Sequence, residues 1–198
     1  MLSFTQVIGS TLDVAGVGLN RTGTKNCSLL VFFWSGHGDY KEKNNPGKKA
    51  YLSLKGGGRV YTRDLGDWLK NFQDNHLVKH ALGGAQFRKD PAPVLMILQA
   101  CHAGGFMTDD LLGHIVNPNG GEVLMSSKEG ECSYGPLGAT PENSYFVKHV
   151  LEGMAASGAI SGYSIFEAAD KPTTKDANDL QHPIEQSDPL NTTIFLHQ

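Results

Sequence analysis

Two runs of the chain are apolar without interruption, Leu29-Leu30-Val31-Phe32-Phe33-Trp34 and Val94-Leu95-Met96-Ile97-Leu98. Runs this short, rich in strand-forming residues and lacking polar alternation, predict strands buried on both faces, the pattern of a parallel sheet covered by helices. Elsewhere the period is helical. Phe4, Val7, Ile8, Leu12, Ala15 and Val17 predict an amphipathic helix over 3–19 despite three glycines, and Leu65, Trp68, Leu69 and Phe72 predict a second, N-capped by Thr62, with Trp68 and Phe72 in the core. Phe146, Val147, Val150, Leu151 and Met154 predict a third over 142–154, with His149 on its solvated side, and a shorter helix is expected over 161–169. The turn Gly56-Gly57-Gly58 between 50–54 and 59–61 predicts a hairpin; further strands are expected at 122–126 and 192–196, and polar loops at 74–93 and 170–190. Buried strands alternating with amphipathic helices imply an α/β layered fold with a mostly parallel central sheet, and 198 residues imply one domain, 1–198.

Composition narrows the function classes. Apolar residues make up 39% and glycines number 24, so a folded but loop-rich protein is expected. Seventeen basic against twenty acidic residues give a net charge of -3, which provides no cationic field for a nucleic acid. Neither apolar run approaches the roughly 20 residues a bilayer span needs, so no membrane role is expected. The first residues, Met1 to Gln6, lack the features of a signal peptide, and Cys27, Cys101 and Cys132 are odd in number and far apart. A reducing, cytoplasmic setting is therefore expected, and the glycosylation-type triplets at Asn20, Asn26 and Asn191 read as chance matches.

The chemistry concentrates where the two apolar runs end. In open α/β sheets, ligands bind beyond the carboxyl ends of the strands, where loops converge on a rigid base. The first run ends in Ser35-Gly36-His37-Gly38, the second in Gln99-Ala100-Cys101-His102-Ala103-Gly104-Gly105. If the strands are neighbours, an imidazole and a thiol face one crevice. A thiol with an ordinary pKa of about 8.5 is mostly protonated at neutral pH, and an imidazole beside it raises the thiolate fraction and later returns a proton. Backbone N–H groups at the turns, with Gly38 and Cys101 as candidates, would stabilise the tetrahedral oxyanion. Such donors contribute roughly 3 to 4 kcal/mol each. The combination is that of acyl transfer.

These two blocks resemble the active-site blocks of the caspase-like cysteine peptidases, most closely the metacaspases, in order, strand context and separation. Glu122 to Tyr134, Asn143 to Met154 and Gln181-His182-Pro183 to Leu196 resemble successive later segments, so the resemblance covers most of residues 4–197. It implies a caspase-hemoglobinase fold, a three-layer α/β/α sandwich. It further implies peptide-bond hydrolysis with His37 as general acid/base, Cys101 as nucleophile, and Ser35 and Gln99 lining the pocket for the P1 side chain. No cofactor or bound metal is required. Some metacaspases are calcium-activated, which draws attention to Asp109 and Asp110, although charge complementarity at a helix N-terminus reads that pair more simply.

Two departures matter. Metacaspases usually carry Asp two residues before the nucleophile, where this chain has Gln99; true caspases carry Gln there to help bind a P1 Asp, together with basic residues not identified here. Family members also have a strand and helix, and usually a second strand, ahead of the helix matched to 4–19. Their absence is expected to bare the edge of the 29–34 strand, to lower solubility, and to favour a second reading, a catalytically weak module that associates with a protein partner or itself through that edge. Other residues read plainly. His102 is expected to be a local hydrogen-bonding group. A zinc site from His37, Cys101 and His102 lacks a fourth ligand and the usual spacing. Cys132 reads as a bystander, and Lys41, Lys43, Lys48 and Lys49 as a solvated loop face that could also be a self-cleavage site.

Overall fold

The structure, a computed structural model, describes residues 30–40, 50–81, 94–116, 121–136, 144–156, 159–160, 162–187 and 196–197. The expected helix over 3–19, Cys27, the lysines between 41 and 49, and the triplets at Asn20, Asn26 and Asn191 lie outside the described residues. The chain is mixed α/β. A four-stranded sheet has the order β1 (Leu30–Ser35), β5 (Val94–Gln99), β6 (Glu122–Met125), β8 (Ile184–Ser187); the first three are parallel and β8 runs antiparallel to β6. The hairpin of β3 (Ala50–Ser53) and β4 (Arg59–Tyr61) forms as expected and is joined by β2 (Gly38–Tyr40) in an antiparallel sheet, with Gly56 and Gly57 taking the positive φ of 96° and 88° that its tight turn requires.

All six β5 residues are buried, and alternation explains why. Val94, Met96 and Leu98 pack with Val123 and Met125 against Leu65 and Leu69 of α1 (Thr62–Ala81) and Leu111 and Ile115 of α2 (Asp109–Ile115). Leu95, Ile97 and Leu124 pack on the opposite face against Phe146 and Val150 of α3 (Tyr145–Ala156) and Ile165 and Ala169 of α4 (Gly162–Asp176). Two helices thus cover each face, and a strand between them has no face to leave polar. β1 is different. Its sole strand neighbour among the described residues is β5, and Val31 is 45% exposed, so the expectation of burial on both faces holds for β5 and fails for β1.

Several other expectations are corrected. The 74–93 loop is in part helix, because α1 continues to Ala81. Trp68 is exposed rather than in the core, the Phe72 side chain lies outside the described residues, and Leu65 and Leu69 carry the buried stripe. Thr62 is the first helical residue and its buried hydroxyl has no partner among the described residues, while the Asp64 carboxylate accepts the Tyr61 N–H at 2.8 Å and closes the helix start instead. The 170–190 loop is also structured. Ile165, Ala169, Thr173 and Ala177 repeat every four residues and are all buried, carrying the helical period past Pro172. The β8 segment then takes the edge of the sheet through backbone pairing that its Ile-Glu-Gln-Ser sequence does not advertise. Of the expected closing strand only β9 (Leu196–His197) lies within the described residues, paired with β7 (Ala159–Ile160) apart from the main sheet. His149 is buried rather than solvated. Its two ring nitrogens lie 2.7 Å from Glu152 and 2.9 Å from Asp176, tying α3 to α4 and holding the Asp176 carboxyl below its ordinary range.

Glu122 is fully buried at the start of β6, beneath the N-terminus of α4, where a Cβ at Gly162 would overlap its carboxylate. Burial first, and the charge of Glu185 second, push its pKa up from 4.5 to about 7; the nearby amides of Gly162 and Tyr163 pull the other way, but neither oxygen has a well-formed hydrogen bond among the described residues. The folded protein therefore binds this proton more tightly than the unfolded chain does. Stability should fall as pH rises from about 4.5 to about 7 and then level off, a total on the order of 3 kcal/mol. Glu122→Gln is expected to be the more stable protein near pH 8, with the gap closing near pH 5. Urea melts of both proteins at the two pH values check this; parallel pH dependences would remove Glu122 as the source.

Candidate active site

The β1–β5 register runs from Leu30 opposite Val94 to Ser35 opposite Gln99 and continues one step further as Gly36 N–H donates to the Gln99 carbonyl at 3.0 Å. Both chains then leave the same end of the sheet. A Cβ placed on Gly38 would lie 2.5 Å from the Cys101 carbonyl oxygen and 2.8 Å from the Ala100 Cβ, so the two turns touch backbone to backbone and only glycine fits there. His37 is exposed and Cys101 partly exposed at this mouth. Among the described residues no hydrogen bond joins the imidazole to the sulfur. Cys101 Sγ instead accepts the Ser133 N–H at 3.3 Å and lies 3.9 Å from the Ser133 carbonyl.

The two oxyanion candidates are placed by different devices. The His37 carbonyl accepts the Ser53 N–H at 2.9 Å, which makes Gly38 and Leu52 the widely spaced pair of the β2–β3 ladder and turns the Gly38 N–H away from β3. Tyr51 donates to the Asp39 carboxylate at 2.8 Å and holds the next residue down; that bond keeps the Asp39 carboxyl below its ordinary range. The Cys101 turn is gripped from β6. Ser126 Oγ accepts the Ala100 N–H and donates to its carbonyl, both at 3.1 Å, and Ser127 Oγ also donates to that carbonyl at 3.1 Å. The Cys101 N–H has no acceptor among the described residues.

The two residues expected to line the P1 pocket, Ser35 and Gln99, lie side by side, Ser35 Oγ donating to Gln99 Oε1 at 2.5 Å. The sequence reading missed the rest of their network. Gln99 Nε2 donates to Ser133 Oγ at 3.1 Å, and Gln181 Nε2 donates to Ser133 Oγ at 3.2 Å and to the Ser126 carbonyl at 2.8 Å. Gln181 Oε1 in turn accepts the Tyr134 N–H at 2.6 Å. Every side chain in the set is neutral, and among the described residues no lysine or arginine is bonded to it. Gln181 is fully buried just before β8, a polar residue at a strand end, which is the signal that could have found it.

His102 is a local bonding group. Its backbone adopts a left-handed φ of 60°, its N–H donates to the Glu131 carbonyl at 2.7 Å, and Nδ1 lies 2.8 Å from the Glu129 carbonyl, to which only an Nδ1–H can donate. Asp109 and Asp110 occupy the exposed first turn of α2, capped by Thr108. Glu131 is held by His182, whose N–H donates to it at 2.8 Å and whose Nδ1 lies 2.9 Å away; burial opposes ionisation, but these bonds outweigh it and keep the carboxyl below its ordinary range. No protein-family model matches the chain, and no curated protein matches it significantly. Among the described residues no helix is long and apolar enough to cross a membrane.

Proposed function

We propose that the protein is a cysteine-type endopeptidase of the caspase-like kind, with the caspase-hemoglobinase version of its α/β architecture. Cys101 attacks the peptide carbonyl, His37 moves the proton from thiol to leaving amine, and the N–H groups of Gly38 and Cys101 receive the oxyanion. Water then hydrolyses the acyl-enzyme with His37 as base. The observation that carries this reading is the contact of Gly38 with the Cys101 carbonyl, because it fixes the histidine turn and the cysteine turn at one mouth of the sheet. The missing thiol–imidazole hydrogen bond does not count against it, since such bonds are often long without substrate. The neutral network around Ser35 and Gln99 favours a P1 side chain that is polar and uncharged.

The test is covalent capture. A peptidyl ketone electrophile incubated with the full chain is expected to form one adduct, mapped by peptide mass spectrometry to Cys101, and His37→Ala should slow its formation by about 10²-fold or more. An adduct at another cysteine, or a rate indifferent to His37, would exclude the mechanism.

A further inference from the structure

The segment carrying Cys132 lies alongside the segment carrying Cys101. The His102 N–H donates to the Glu131 carbonyl at 2.7 Å, one residue beyond Cys101 on one side and one before Cys132 on the other. The next contact, Ser133 N–H to Cys101 Sγ at 3.3 Å, closes on the sulfur from beyond Cys132. Cys132 is thus framed opposite Cys101 by two bonds that flank it, and both thiols are free and partly exposed. On one side the turn is pinned by Ser126 and Ser127, on the other by the Glu131–His182 contacts, so neither segment must be recruited from elsewhere.

We propose that Cys132 is a resolving cysteine, which converts peroxide-oxidised Cys101 into a reversible Cys101–Cys132 disulfide. In the first step Cys101 sulfur attacks a hydroperoxide; the O–O bond breaks, the distal oxygen becomes the sulfenic hydroxyl, and water or an alcohol leaves. In the second, Cys132 sulfur attacks Cys101 sulfur, the S–O bond breaks, and the hydroxyl leaves as water with a proton. Two electrons pass from the sulfurs to the peroxide, and a small dithiol returns them. Hydrogen bonding to Cys101, then burial, then the charge of Cys101 hold the Cys132 pKa above its ordinary value, which disfavours its thiolate. The consequence for catalysis rests on the proposed role of Cys101; the bond itself does not.

The experiment uses the full chain treated with hydrogen peroxide and then with dithiothreitol. Peptide mapping of the oxidised wild type is expected to show a Cys101–Cys132 cross-link with the loss of two hydrogens, and thiol labelling of Cys101 should fall at least about tenfold and return on reduction. In Cys132→Ser, and in Cys132→Ala as a check on folding, Cys101 should gain oxygen instead, and recovery of labelling should drop at least about tenfold. A cross-link to Cys27, or full recovery in both variants, overturns the assignment. Mass and turnover are separate readouts: a protein that cross-links but cleaves nothing supports the thiol pair while defeating the peptidase reading, and an active peptidase that forms no such bond defeats the pair alone.

Discussion

Cys101→Ala is expected to lose peptide hydrolysis by at least about 10⁴-fold and to lose all capture by peptidyl ketones. The size follows from what remains. The proposed oxyanion donors and the Ser35–Gln99 network are still present, but an Ala side chain cannot form the acyl intermediate, and a water held by His37 is a poor replacement for a thiolate. The fold should survive. Cys101 is partly exposed, and the Ser133 N–H, which it accepts at 3.3 Å, would lose a sulfur acceptor at a solvent-accessible mouth at a cost of about 1 kcal/mol. Initial rates on a peptide library, read beside the melting temperature, therefore separate chemistry from stability. A variant that melts like the parent and still turns over at a tenth of its rate would place the nucleophile elsewhere.

The strongest parts of the fold were legible because they depend on local pattern. An apolar run such as Val94–Leu98 has no face to leave polar, so it could only lie between two layers, and the hairpin around Gly56 and Gly57 is set by the turn itself. What the pattern missed depends on tertiary contacts. Leu29 to Trp34 reads like Val94 to Leu98, yet its place at the end of the strand order leaves Val31 exposed, and strand order is not written in either run. His149 looks like a surface residue on its own helix, yet it is buried and bonded to Asp176 of α4, a partner the local pattern does not show. Pro172 and the charges around it suggest a loop, while the four-residue spacing from Ile165 to Ala177 carries the helix through.

The candidate site divides along the same line. His37, Gly38 and Cys101 could be nominated as candidates from the sequence because each sits just past an apolar run, where a parallel sheet presents its loops. The register of β1 on β5 then brought Ser35 onto Gln99. Ser133, Gln181 and the opposition of Cys132 to Cys101 were not legible, because they come from segments more than thirty residues away in sequence that meet the Cys101 turn and the Gln99 network only after β6 and β8 are in place. Cys132 was read as a bystander for that reason. Its neighbour's bond to the Cys101 sulfur gives it a chemical context that spacing alone could not supply.

On the proposed peptidase reading, Gln99→Asp is expected to move the P1 preference from uncharged polar residues to Arg or Lys, shifting the kcat/KM ratio of basic over neutral P1 by about 10²- to 10³-fold. Gln99 is only 9% exposed and is engaged by Ser35 and Ser133. An aspartate there keeps Ser35 as a donor but leaves a mostly buried charge without a cation. An unpaired buried charge costs several kcal/mol, and a P1 guanidinium or ammonium relieves that cost in the acylation transition state whereas a neutral side chain does not. Because the cost already exists in the free enzyme, the variant should also melt lower than the parent and regain stability when a peptide ending in Arg is bound. Substrates matched except at P1, assayed on both proteins, give the ratio directly. An unchanged ratio in a folded variant would mean that residue 99 does not face the P1 side chain, and the pocket would have to be sought on the other side of the Cys101 turn.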